Sequence, residues 1–166
     1  MLYILYGQDD FSLARSLEEI KRKIGDQATL ALSTTTLDGQ PLSIDQLRTV
    51  CETVPFLTEK RLVIVNGLLG RFEPPTRSRR QRRTPRVAEQ QVEHKPFSDC
   101  IGKIPDSTIL VLVDGRITSG NPLFKELARK ATVKTFPLLR EAELREWVRR
   151  RVAEEGGSIS PRAVNL

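Results

Sequence analysis

Apolar residues recur along this chain in two rhythms. Residues 2–6 (LYILY) form an unbroken apolar run, which predicts a strand buried in a sheet. Gly7-Gln8-Asp9-Asp10 then turns the chain, and Phe11, Leu13, Leu17, Ile20 and Ile24 follow at helical spacing, with Asp9 or Asp10 as cap. The run ATLALS, residues 28–33, predicts a second strand. Asp38-Gly39-Gln40-Pro41 is a loop, and Ser43 or Asp45 caps the next helix. That helix carries Ile44, Leu47, Val50 or Cys51, and Val54, and closes before Pro55 because proline disfavours helical geometry in the preceding residue. Residues 62–65 (LVIV) and 108–113 (TILVLV) predict two further buried strands. Residues 87–103 have weaker helical spacing. Asn121-Pro122 opens a helix through Leu123, Phe124, Leu127 and Ala128, with proline in its favoured first-turn position. A fifth strand is predicted at 131–136, then a helix over 140–155 with Leu144, Trp147, Val148 and Val152, ended by Gly156-Gly157. Ser158 begins a further helical start.

Strands that alternate with helices at this spacing define an α/β fold with a mainly parallel five-stranded sheet. The expected organisation is one domain over 1–157, with an insert at about 70–90, and the start of a second, helical domain over 158–166. The tip between the second helix and third strand is unusual. A helix-to-strand turn normally carries small polar residues, but here Phe56 and Leu57 precede Thr58-Glu59-Lys60-Arg61. Two large apolar side chains at such a tip either fold back into the core or face a partner.

Charge changes the picture only locally. The chain has a formal net charge of +6. Residues 71–86 hold seven arginines and one glutamate, which accounts for all of it, so the rest of the chain is neutral. Arg77, Arg79, Arg80, Arg82, Arg83 and Arg86 crowd a segment with three prolines and almost no apolar residues. Such a segment buries too little surface to offset its ordering entropy and reads as an excursion from the domain surface. Arginine suits phosphate through its planar fork, although this segment lacks the interleaved aromatics of single-strand binders.

The candidate chemistry is sparse. Cys51 and Cys100 fall in predicted helices and read as buried reduced thiols. His94, the single histidine, sits in a predicted loop and matches no metal-ligand or triad arrangement. The apolar start is too short for a signal peptide, and no apolar run approaches the ~20 residues of a membrane span. A soluble, cytoplasmic protein is expected, with no membrane partner. In parallel α/β sheets, ligands sit at the carboxyl ends of strands. The first such turn here, Tyr6 to Phe11, has one glycine, no lysine and two carboxylates, so it lacks what a phosphate-binding loop needs. Asp114, after the most apolar strand, stands where nucleoside-triphosphatases keep a magnesium-binding carboxylate, but without a phosphate loop it reads as an Asp-Gly turn. No cofactor, metal or catalytic residue is expected.

The opening LYILYGQDDFSLARSLEEI, the central VPFLTEKRLVIV, the strand ILVLVDGR and the late REWVRRRVAEEGGSIS together resemble the N-terminal part of the delta subunit of the bacterial DNA polymerase III clamp loader. The resemblance implies a AAA+ module that has lost ATP binding, in agreement with the first turn. It implies that the apolar pair at the tip, Phe56-Leu57 here, inserts into the sliding clamp (the beta subunit). It also implies contacts with other clamp-loader subunits through later domains, and membership of a DNA-directed DNA polymerase holoenzyme without catalysis by this chain. The arginine cluster departs from the family pattern, so the resemblance assigns it no role. A nucleic-acid-binding module acting through those arginines is the alternative function.

Overall fold

The computed structural model describes residues 1–25, 31–55, 58–74 and 94–164. Five strands are described: β1 (Leu2–Gly7), β2 (Thr34–Asp38), β3 (Arg61–Asn66), β4 (Thr108–Asp114) and β5 (Thr132–Phe136). They form one sheet in the order β2-β3-β4-β1-β5. Every pairing is parallel, so the expected five-stranded parallel α/β architecture is present. The described helices of this body are α1 (Asp10–Ile24), α2 (Ile44–Glu52), α3 (His94–Ile101) and α4 (Pro122–Leu127).

The core follows the two-residue period of the strands. Ile4, Val63, Val65, Leu110 and Leu112 face one side, where Leu47 of α2, Phe97 of α3 and Leu123 of α4 cover them. Leu5, Leu62, Ile64, Ile109 and Val111 face the other side and meet Leu13 and Ile20 of α1. Strands β3 and β4 are therefore apolar at successive positions because both of their faces are covered.

Helix starts agree with their capping signals. Asp9 caps α1 by accepting from Ser12 N at 3.0 Å. Ser43 and Gln46 form a reciprocal capping box on α2. Asn121 accepts from Phe124 N, with Pro122 in the first turn of α4.

Four local expectations need correction. The second strand lies at Thr34–Asp38, and residues 31–33 are helical. ATLALS is the more apolar run, but β2 is an edge strand, where β-branched threonines suit the pleat without a fully apolar sequence. Phe11 is 52% exposed at the start of α1, outside the buried stripe. Val54 lies beyond the end of α2 and is 80% exposed. His94 is the first residue of α3, its Nε2 3.6 Å from Glu126 Oε1.

Residues 70–74 do not leave the domain surface as expected, and the remainder of the expected excursion, 75–90, lies outside the described residues. Gly70–Phe72 is a 3-10 turn with Phe72 buried. Arg71 donates to Leu42 O at 2.9 Å and lies over the rings of Phe72 and Phe97. Arg71 thus belongs to the packed body.

The chain divides into two compact units, Met1–Phe136 and Pro137–Leu166. The second contains α5 (Glu141–Glu154) and α6 (Pro161–Val164). Glu143 accepts from Arg140 N at the start of α5, and Glu141 pairs with Arg145 one turn on. Gly156 adopts φ +77°, the left-handed geometry that ends a helix, and Gly157 N closes the turn on Val152 O. Trp147, Val148 and Val152 are half-buried within this unit, while Leu144 is largely exposed. No described helix is long and apolar enough to cross a membrane.

Candidate functional site

A parallel sheet has two chemically different edges, and residues singled out by the sequence fall on both. At the carboxyl edge, the turn after β1 is closed by the chain itself. Gln8 N and Asp9 N both donate to Phe136 O, at 2.8 and 3.1 Å, and Gly7 N donates to Gly115 O at 3.0 Å. A phosphate loop keeps such amides available for its ligand; here they already have acceptors. The approach is so close that a Cβ on Gly7 would lie 1.9 Å from Phe136 O. Asp9 adds a negative charge, its carboxyl held low first by hydrogen bonds from Ser12.

Asp114 has a structural task beyond an Asp-Gly turn. Its Oδ2 accepts from Leu69 N at 3.0 Å and its Oδ1 from Gly70 N at 2.9 Å. The chain leaving β3 is thereby pinned to the end of β4. Asn121 continues the clasp, donating to Leu69 O at 2.7 Å and to Glu73 Oε1 at 2.9 Å. Glu73 also accepts from Thr118 N and Thr118 Oγ1. This network was missed in the sequence: Asn121 announced itself only as a helix cap, and nothing in the spacing links it to residues 69–73. Among the described residues, no group of three or more His, Cys, Asp or Glu side chains is placed to hold a metal ion.

The tip between α2 and β3 emerges at the opposite, amino edge. The last carbonyls of a helix lack partners within it. Here Thr49 O accepts from Thr53 N and Thr53 Oγ1, Val50 O from Arg61 Nη1 at 3.1 Å, and Cys51 O from Thr108 Oγ1 at 2.7 Å. On the returning side, Thr58 Oγ1 donates to Lys60 O and Arg61 N to Ser107 O, both at 2.8 Å. Both feet of the tip are therefore tied to the sheet.

Cys51 and Cys100 are free and buried beneath this end of the body. Burial, reinforced by nearby Cys100, pushes the Cys51 thiol up to about 12, and burial raises Cys100 as well. Both are inert packing thiols by this measure. Phe56 and Leu57 themselves lie outside the described residues, as do Arg77, Arg79, Arg80, Arg82, Arg83 and Arg86.

With this geometry in place, the comparisons define first a class and then a family. The fold is that of clamp-loader AAA+-like proteins. A solved DNA clamp loader delta protein of Bacillus subtilis superposes with a TM-score of 0.68 at 21% identity, over 98% of this chain and 46% of that one. A DNA polymerase III gamma subunit-related protein of Thermotoga maritima matches at a TM-score of 0.51 and 17% identity, over 93% of this chain and 46% of that one. The family model for the DNA polymerase III delta subunit matches residues 3–137, and the chain belongs to that family. A DNA polymerase III subunit delta of Bacillus subtilis is 34% identical over 66 residues, 40% of this chain and 19% of the relative. The chain spans about half the length of the solved structures it resembles.

Asp114 yields a test of the clasp. Burial dominates its surroundings and pushes the carboxyl up to about 6, against the pull of the Gly70 and Leu69 amides. Its proton affinity in the folded state exceeds the ordinary value of 3.8, so folding takes up a proton between these limits. The stability tied to that proton is complete below pH 3.8 and lost as pH rises through about 6. Asp114→Asn replaces one acceptor by a donor facing a backbone N–H and should cost about 1–3 kcal/mol at acid pH. In urea denaturation, the margin of wild type over Asp114→Asn should narrow between about pH 4 and about pH 7. A margin constant across that range would refute the assignment.

Proposed function

We propose that this chain is the clamp-engaging module of a clamp-loader delta subunit, which binds and opens the DNA polymerase sliding clamp during replication without hydrolysing ATP itself. Phe56 and Leu57 serve as its apolar wedge. The observation that carries the reading is the anchorage of the tip: Arg61, Thr108 and Ser107 fasten both of its feet to the amino edge of the sheet. A fastened tip loses less entropy on docking. Burying each large apolar side chain stabilises a complex by roughly 1.5–3 kcal/mol, so the pair can act as the hot spot of a modest interface. Glu59 and Lys60 supply the polar rim. Opening a ring further requires that the wedge fit the open clamp better than the closed one, since equal binding to both shifts nothing. The other clamp-loader subunits are partners through parts of the protein outside this chain, and the setting is the cytoplasm.

The closed first turn motivates the claim about ATP. Titration calorimetry with ATP and magnesium should give no binding heat, and micromolar affinity would revive a nucleotide-hydrolysing reading.

The wedge makes a sharper forecast. In the double variant Phe56→Ala, Leu57→Ala the fold should persist while clamp binding disappears on a sizing column. Core residues would behave oppositely, with several kcal/mol of stability lost on truncation. Retained clamp binding by a folded double variant would end the wedge reading.

The arginine run supports a second reading, a DNA contact that is electrostatic and indifferent to sequence. Replacing Arg77, Arg79, Arg80, Arg82 and Arg83 by alanine should abolish DNA binding and its steep salt dependence. Because exposed replacements usually change stability by about 0.5 kcal/mol or less, the melting temperature should hardly move. DNA binding that survives the replacements excludes this contact.

A further inference from the structure

The amino edge carries a second surface besides the tip. Between the end of α3 and the end of α4 lies a small pocket of about 170 Å³, floored by Met1, Leu2, Ile101, Ile104, Leu110 and Leu127. It is smaller than the roughly 300 Å³ at which small-molecule sites begin, and so suits one apolar side chain better than a cofactor. Its wall is shared with an open groove: Ser98, Gly102, Glu126 and Lys130 line both.

The charges around the groove are unequal. Asp99 and Glu126 both face Lys95, at 3.4 and 3.9 Å. Lys103, Arg129 and Lys130 are exposed and have no carboxylate within 4.0 Å among the described residues. The buried Glu126 Oε2 is the oxygen that faces Lys95, and a hydrogen bond from Ser98 holds the Glu126 carboxyl low. The surface thus offers an apolar seat and three exposed cations that have no counterion among the described residues.

Its position ties it to the tip. Met1 N donates to Thr108 O, and Leu110 N donates to Met1 O, so the pocket opens at the starts of β1 and β4. The tip returns at the start of β3, next to β4. β1 and β3 are two strand spacings apart, roughly 10 Å. One protein surface lying against the tip would reach both.

We propose that this groove is a second contact for the partner that the tip engages. The partner presents an apolar side chain to the pocket and a cluster of carboxylates to Lys103, Arg129 and Lys130. The proposal rests on the clamp reading and gives it a chemical requirement: an acidic surface beside the cavity that receives the wedge. Exposed charges of this kind act mainly on encounter rate and register, and salt weakens them.

The test uses the whole chain and the purified sliding clamp, with affinity measured by surface plasmon resonance over a salt series. Lys103→Glu, Arg129→Glu and Lys130→Glu together should weaken clamp binding at least about tenfold at low salt, the gap closing as salt rises. Lys103→Arg with Lys130→Arg should bind as wild type. Equal affinity of the reversed variant and wild type at every salt concentration overturns the proposal. It is equally overturned if the reversed variant loses affinity for a labelled DNA duplex and keeps its affinity for the clamp, which would make the groove a nucleic-acid surface. The Phe56→Ala, Leu57→Ala variant separates the two readings. Wild-type clamp affinity in that variant removes the wedge, while the charge reversals still report on the groove alone.

Discussion

Strand β4 must bury both of its faces, and that constraint organises the molecule. An interior strand has no water at its ends to satisfy polar groups, so each terminus needs a partner from the protein. Thr108 and Asp114 stand at those ends and are buried. Thr108 donates to the last turn of α2, while Asp114 accepts two amides from the chain leaving β3. The same strand therefore fixes the foot of the tip at one edge and the clasp of Asn121 and Glu73 at the other. Removing either polar end would leave a buried group without its partner, which costs more than the hydrogen bond itself contributes.

The two edges have consequently diverged. At the carboxyl edge, where this architecture ordinarily receives a ligand, Phe136 O holds the amides that would surround a phosphate. At the amino edge, turns that usually only connect elements are tied down and flanked by apolar and cationic surface. A sheet that contributes rigidity, with contacts moved to the ends of its helices, is the physical basis for reading this chain as an interaction subunit.

The periodicity of β1, β3 and β4 made the fold legible, because strands buried on both faces must be apolar throughout. The edge strand β2 was not legible for the same reason: Thr34, Thr35 and Thr36 satisfy the pleat without looking like core, and the more apolar ATLALS drew the assignment to itself. Phe72 and Arg71 were lost inside the arginine-rich run, although they pack on the body. The missing phosphate loop could be read residue by residue, but the identity of what occupies its amides could not. Phe136 lies far from Gln8 in sequence, and only the pairing of β5 with β1 brings them together. The pocket beside Glu126 left no trace in the sequence, since Leu2, Ile104 and Leu127 look like ordinary core positions.

The place of β1 in the sheet bears on how the chain is made. Strand β1 pairs with β4 and β5, whose residues lie beyond position 107 and are therefore synthesised after it. Until then the segment Leu2–Gly7 is an apolar strand with both hydrogen-bonding edges bare. Closing so long a loop is entropically slow, and parallel pairing offers no hairpin from which to nucleate. Strand β1 is thus among the last to dock, between two neighbours that must both be present. During that interval, LYILY is open to aggregation and to capture by a holdase.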